Sequence, residues 1–248
     1  MNSPDRLAVV TGGTKGIGLA FSHRLTRMGF RVVATYRSDE ESAQLALHEV
    51  KKGFSVVRSD VSDPGEVADL AELVRTEHGV PRILVNNAGL NIDRPVLEIS
   101  DSDWRRVVDT NLSGPFYTAR AFAPAMLEAG GGSIVNIGAT TAIRPRTNGA
   151  NYCASKAGML HLTKCLAMEL APGIRVNCLI PGMIDTEEMR TRYRVAEPEY
   201  REALLSGIPQ RRIGDPDEMA DALEFLVGEG AAYITGQKLI VDGGQFMW

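Results

Sequence analysis

Tyr152 and Lys156 stand four residues apart in Tyr-Cys-Ala-Ser-Lys, so on a helix their side chains share one face. A phenol titrates at about pH 10, too high for easy proton exchange at neutral pH, but a neighbouring ammonium favours phenolate and lowers that value. The pair could then pass a proton to or from a reacting oxygen. Taken alone, a tyrosine and a lysine at this spacing are more often a surface pair. A second constellation is Thr11-Gly12-Gly13-Thr14-Lys15-Gly16-Ile17-Gly18. Where a strand turns into a helix, glycine permits the tight turn, lets backbone approach a pyrophosphate and lets the helix pack closely. The helix start adds unpaired N–H groups that attract an anion. A bound dinucleotide is the ligand such a turn would take.

Strands alternating with helices must hold these residues. Short apolar, β-branched runs at 7–10, 31–35, 54–57, 82–85, 133–137, 175–180 and 238–241 read as strands. Between them lie helix-like stretches: one carrying Ile17, Ala20, Phe21 and Leu25, one over about 40–52, one opened by Ser62-Asp63-Pro64, and two longer ones flanking 133–137. Seven strands in alternation predict an α/β fold: a Rossmann-type, doubly wound, seven-stranded parallel sheet with helices on both faces. No linker, charge block or repeat interrupts the pattern, so one domain over 1–248 is expected. The glycine turn is then the first strand-to-helix connection, where a dinucleotide belongs.

Composition excludes several classes. Of 248 residues, 44% are hydrophobic and 23% charged, near the globular average, so disorder and fibrous folds are poor readings. The formal charge of −4 argues against nucleic acid as a partner. No apolar run reaches the roughly 18 residues that cross a bilayer. The start, Met-Asn-Ser-Pro-Asp-Arg, lacks the basic and apolar parts of a secretion signal, and three cysteines make no disulfide framework. A cytoplasmic protein is expected. His23, His48, His78 and His161 have no ligand spacing, so no metal site is expected.

The glycine spacing G-x-x-x-G-x-G resembles the cofactor motif of the short-chain dehydrogenase/reductase family, and the resemblance runs the length of the chain. Asn86-Asn87-Ala88-Gly89 matches the family's N-N-A-G, Asn111 its mid-helix asparagine, Tyr152 and Lys156 its Y-x-x-x-K, and Pro181-Gly182 the turn after the sixth strand. Residues 236–244 match its closing strand and turn. Among its members the chain resembles the 3-oxoacyl-carrier-protein reductases. The resemblance implies an oxidoreductase in which Tyr152 gives a proton to a carbonyl as hydride arrives, Lys156 lowers the tyrosine pKa and holds the nicotinamide ribose, and Asn111 anchors a water leading to Lys156. It places Gly12, Thr14, Lys15, Gly16, Ile17 and Gly18 on the pyrophosphate, Asp60 and Val61 beside the adenine, and Asn87, Ala88 and Gly89 along the ribose. Pro181, Gly182, Ile184 and Thr186 would meet the nicotinamide end. For Val61 and Ile184 plain core packing competes.

A carboxylate ending the second strand would grip the ribose of NAD. Here the strand ends Tyr36-Arg37-Ser38, and Lys15 can approach from the glycine turn. Two cations and no anion suit a 2′-phosphate, so NADP(H) is the expected cofactor. Asp39 and Glu40, close behind, weigh against it.

The family's serine, which hydrogen-bonds the substrate oxygen, lies 13 residues before the tyrosine; that position is Ala139. Losing such a donor costs about 2.7–4 kcal/mol. Three explanations stand open: a serine-to-alanine variant made to trap substrate, a hydroxyl from Thr140 or Thr141 instead, or a reaction that needs no such donor. An attenuated enzyme, or a cofactor-binding scaffold or sensor that lost the chemistry, is the rival from another class.

The substrate lid of the family falls at about 185–214, with Met183, Met189, Tyr193, Tyr200, Leu204 and Leu205 as candidate pocket walls. The loops 126–132 and 170–173 contain no cation to dock an acidic carrier protein, which favours a free small or polyketide-like ketone over an acyl-carrier substrate. The resemblance implies a homotetramer, or a homodimer, joined through the long helices that carry Asn111 and Tyr152. The apolar tail Phe246-Met247-Trp248 is expected to be buried at a subunit contact or over a neighbour's cleft. Cys165 and Cys178 read as core.

Overall fold

Strands β1 (Leu7–Thr11), β2 (Arg31–Tyr36), β3 (Phe54–Arg58), β4 (Ile83–Asn86), β5 (Gly132–Ile137), β6 (Ile174–Pro181) and β7 (Lys238–Val241) pair in one parallel sheet. Their order is β3-β2-β1-β4-β5-β6-β7. These are the elements of a computed structural model that describes residues 6–50 and 52–247. All five residues of β1 are buried, as expected of a strand covered on both faces. Alternate residues feed two cores. Ala8 and Val10 pack with Phe21, Leu25, Met219 and Leu223 on one face. Leu7 and Val9 pack with Leu70, Phe122, Met126 and Ala167 on the other.

The first face carries α1 (Gly16–Arg27), α2 (Glu40–Val50) and α9 (Pro216–Val227); the second carries α3 (Pro64–Leu73), α5 (Gly114–Glu128) and α6 (Ala150–Leu170). Pro64 and Pro216 sit at helix starts, where the missing N–H costs nothing, behind the capping carboxylates of Asp63 and Asp215. Connections from β1 and β4 run to opposite sides, so the strand order reverses between them and leaves a crevice at their C-terminal ends. A buried polar chain binds the centre of the sheet to its helices. Thr118 donates to Asn86 Oδ1 (2.7 Å), Asn86 to Asn136 Oδ1 (2.8 Å), and Asn136 to Thr163 Oγ1 (2.9 Å).

The expected α/β architecture is the observed one, with strand ends moved by a residue or so: β4 ends on Asn86, and β6 begins at Ile174. Cys165 is a correction. The inward positions of α6 include Lys156, Met159, Thr163 and Ala167, so Cys165 falls on the outer face and is exposed, whereas Cys153 and Cys178 are buried. Residues after β6 form α7 (Glu187–Arg192) and α8 (Pro198–Ser206). Their segment leaves and rejoins the body at one point, where Ile184 bridges to Gly214 and the Asp185 N–H donates to the Gly214 carbonyl (2.8 Å). At the C-terminus Met247 is 79% exposed in the single chain, and Trp248 lies outside the described residues.

Candidate active site

The glycine turn is fixed to the loop after β4. Asn87 Nδ2 donates to the carbonyls of Thr11 (3.0 Å) and Gly12 (2.9 Å), and Thr11 Oγ1 accepts the N–H groups of Asn87 and Ala88, both at 3.0 Å. Gly12 and Gly16 have φ of 61° and 54°, and a Cβ on Gly18 would lie 2.1 Å from the Gly12 carbonyl oxygen. Only glycine fits such a turn. At the start of α1 no side chain caps the N–H groups and the first turn holds no acidic residue, with Lys15 at the cap. That leaves donors and positive charge for an anion, the fit a dinucleotide pyrophosphate requires. Thr14 is buried beneath the turn, Ile17 half-buried behind it.

At the end of β2, Tyr36 and Arg37 are half-buried and Ser38 exposed. Lys15 is bound to Asp39 at 2.6 Å, and this hydrogen bond, with one from the Ser42 backbone, holds the Asp39 carboxyl down at about 2. One opposing anion is thus already paired. A third cation, absent from the sequence reading, enters from the last residue of β3. Arg58 lies in register with Tyr36, and its Nε donates to the Arg37 carbonyl at 3.1 Å. Its place in a strand-end pair was the signal. Asp60 accepts from the Ser62 N–H (3.0 Å) and hydroxyl (2.7 Å). Val61 is buried in contact range of Gly114, so it serves packing at the start of α5.

Helix α6 carries Tyr152 and Lys156 on its inward side. Lys156 is buried, and its Nζ donates to the Ile137 carbonyl at 2.7 Å. Loss of water lowers its pKa to about 8. Tyr152 is pushed up to about 12, chiefly by desolvation and by Glu188, against the pull of Arg192 and Arg146. In the free chain, desolvation outweighs any lowering of the phenol by Lys156. The lysine lies 5.8 Å from the ring centroid and spends a hydrogen bond on Ile137.

Asn111 sits in a π-helical turn over Asp109–Ser113, fully buried. Its side chain accepts the Leu90 N–H (2.7 Å) and donates to the Leu90 carbonyl (2.8 Å) and to Ser155 Oγ (3.2 Å). The amide thus clamps the loop behind Gly89, which stands between Asn111 Oδ1 and Lys156 Nζ.

Ala139 follows β5 in extended conformation and presents only a methyl group. A short 3-10 turn, Thr140–Ala142, follows it and packs on α6. Thr140 is buried, and the Thr141 hydroxyl oxygen is shut from solvent with no hydrogen-bond partner among the described residues. On the far wall the Gly182 N–H donates to the Val241 carbonyl (2.9 Å) beside Pro181. Ile184 belongs to the core, and Thr186 caps α7 through Met189 N–H (3.2 Å) with its methyl facing Gly16. Sequence reading missed Asp93 and Arg146 beside Tyr152, for which the Arg-Pro-Arg run at 144–146 was the available signal; Arg192 of α7 joins them. The loops 126–132 and 170–173 meet at the opposite, N-terminal end of the strands. There Gly132 N–H donates to Gly173 (3.0 Å), and the Arg82 guanidinium bonds Ala129 (2.9 Å), so a cation from β4's entry does reach them.

No helix among the described residues is long and apolar enough to cross a membrane. A family model described as Enoyl-(Acyl carrier protein) reductase matches residues 12–245. The chain is 36% identical over 248 residues to the 3-oxoacyl-[acyl-carrier-protein] reductase FabG of Escherichia coli (strain K12), covering all of both chains. It is 38% identical over 243 residues to an acetoacetyl-CoA reductase of Rhizobium meliloti (strain 1021), covering 98% of this chain and 99% of that one. A crystal structure of a gluconate 5-dehydrogenase from Burkholderia cenocepacia J2315, in complex with NADP and tartrate, superposes with a TM-score of 0.90 at 32% identity, over 97% of this chain and 94% of the other. The chain thus belongs to the short-chain dehydrogenase/reductase family.

Proposed function

We propose that this chain is an NADP(H)-dependent ketoreductase acting on a free, small ketone. The observation that carries the reading is the single crevice in which the uncapped start of α1, Lys156 and Tyr152 converge. NADPH, when bound, supplies the hydride that becomes the new C–H bond. Gly12, Gly16, Gly18, Thr14, Lys15 and Ile17 would hold its pyrophosphate, and Tyr36, Arg37 and Ser38, with Arg58, its 2′-phosphate. Asp60 and Val61 would flank the adenine, Asn87, Ala88 and Gly89 the ribose, and Pro181, Gly182, Ile184 and Thr186 the nicotinamide end. The NADP bound in the gluconate 5-dehydrogenase complex supports this choice.

Tyr152 keeps its proton throughout the neutral range, which suits a general acid. It gives that proton to the carbonyl oxygen as the oxygen gains electrons, and an alcohol results. Lys156, close to neutrality in its buried site, takes up a proton from solvent and returns it toward Tyr152, while Asn111 holds the loop that shapes this path. With Ala139 unable to donate, a hydroxyl of the next turn, Thr140 or the unpaired Thr141, is left to share the developing charge. A carrier-bound or CoA-bound oxoacyl substrate is the second reading, favoured by the substrates that the relatives' names give. A homotetramer fits the exposed Met168, Phe116 and Tyr233, and a reducing cytoplasm fits three free cysteines. NADPH oxidation over a panel of ketones tests the reading. It holds if Tyr152→Phe lowers turnover at least a thousandfold while NADPH still binds, and fails if no ketone is reduced.

A further inference from the structure

The backbone of Tyr152 is held by a side chain at each end. Its N–H donates to Asn151 Oδ1 at 2.7 Å. Its carbonyl accepts the Ser155 hydroxyl at 2.8 Å, and that hydroxyl oxygen in turn accepts Asn111 Nδ2 at 3.2 Å. Both holds lead to the loop after β4. Asn111 grips Leu90, and Asn151 Nδ2 donates to the Ile92 carbonyl at 3.1 Å.

The first N–H groups of a helix have no partner inside it, and Gly149, at the cap of α6, has no side chain to offer one. Tyr152 is the third residue of the helix, so its N–H is one of these orphans. Asn151 is fully buried, with both ends of its amide engaged: the oxygen on the Tyr152 backbone, the nitrogen on Ile92. The loop residues on either side of Ile92 are held as well. Arg146 binds Asn91 and Asp93, and the Arg94 N–H donates to the Asn148 carbonyl at 2.9 Å. Among the described residues, Asn151 is the one side chain that hydrogen-bonds both this loop and Tyr152. The phenol oxygen stands at the far tip of its side chain, so a small rotation of the Tyr152 backbone swings it through a larger arc. A misplacement of about 1 Å can cost about a hundredfold in rate.

We propose that Asn151 is a positioning residue for the proton transfer: it ties the N–H of Tyr152 to the Ile92 carbonyl and so sets where the phenol meets the substrate oxygen. It acts through Tyr152 and not on the substrate. The proposal deepens the ketoreductase reading and rests on it for the reaction, though not for the placement of Tyr152. If Asn151 only satisfied buried backbone groups, its loss would weaken the fold and leave the chemistry of the folded protein alone.

Asn151→Ala tests this beside Thr163→Val, which removes a buried hydrogen bond farther along the same helix. In protein with isotope-labelled tyrosine rings, the Tyr152 NMR signal is the one that Tyr152→Phe removes. In NADP+-saturated protein Asn151→Ala is expected to move that signal, and Thr163→Val to leave it in place. At saturating concentrations of the best ketone and NADPH, Asn151→Ala should lower kcat at least fivefold, with the Kd of NADPH within threefold of the parent's. Asn151→Ser, small and polar, takes the same measurements if the alanine variant does not fold. An unmoved signal, a smaller loss of kcat, an equal loss in Thr163→Val, NADPH binding weakened beyond threefold, or failure of both Asn151 variants to fold would overturn the proposal. A signal that moves while the parent reduces no ketone removes the ketoreductase reading and leaves the placement of Tyr152 by Asn151 standing.

Discussion

Lys156 Nζ donates a 2.7 Å hydrogen bond to the carbonyl oxygen of Ile137, two residues before Ala139. The lysine is thus anchored to the strand end from which a second oxygen-binding donor would come. It is held there at the expense of its charge, since burial brings its pKa down to about 8.

This predicts a pH dependence of stability in the free protein. Between the folded value of about 8 and the ordinary 10.5, the unfolded chain binds a proton at Lys156 that the folded chain does not. Unfolding free energy then rises with pH across that window, by up to about 3 kcal/mol. Tyr152, raised to about 12, acts with opposite sign only above pH 10, its ordinary value. Urea unfolding at pH 7.5 and 9.5 should show the native protein gaining on Lys156→Met. Parallel pH curves would refute the assignment.

Thr141→Val should lower kcat on the best ketone about a hundred- to a thousandfold, the cost of one lost donor at a developing oxyanion. In an Ala139→Ser background the same change should cost under threefold, because the serine takes over. Ala139→Ser alone separates the open explanations of the alanine. A rise of at least tenfold marks a site built for serine, and an unchanged or lower rate marks one arranged around Thr141 or around a reaction without that donor.

Arg37→Gln and Arg58→Gln should each raise the KM for NADPH about tenfold or more and leave that for NADH within about twofold, as loss of a charged hydrogen bond to phosphate requires. Steady-state kinetics with both cofactors measures it. Equal losses with both would mean that these arginines only shape the loop.

Thr163→Val strands the Asn136 amide, whose partners lie wholly inside the sheet–helix interface. A destabilisation of about 1–3 kcal/mol is expected in chemical denaturation. A neutral result would show that the chain Thr118–Asn86–Asn136–Thr163 can re-pair.

The sheet was legible because each strand is a short apolar run, the central ones buried on both faces, and helices with proline or capping carboxylates at their starts announce themselves locally. The glycine turn and the tyrosine–lysine pair were legible for the same reason: each lies within one short segment. Arg146, Asp93 and Arg192 come from three segments dozens of residues apart, each a polar surface run in sequence, and only tertiary packing gives them a common address. Asn111 was legible as a site residue, but the clamp its buried amide makes on Leu90 and Ser155 depends on tertiary packing. The loops 126–132 and 170–173 were weighed as a docking surface, whereas packing sets them at the strand ends opposite the crevice.

Ile184 and Gly214 pair where the α7–α8 segment leaves and re-enters the body. Between them the segment touches the body again where the Gln210 N–H donates to the Gly243 carbonyl (3.1 Å) and where Arg192 nears Asp93 (3.5 Å), yet none of its residues pairs into the seven-stranded sheet, so a change in its length costs little loop-closure entropy and leaves the sheet register alone. The end that grips the nucleotide is locked by strand pairing, and the end that chooses the substrate is free to be rewritten.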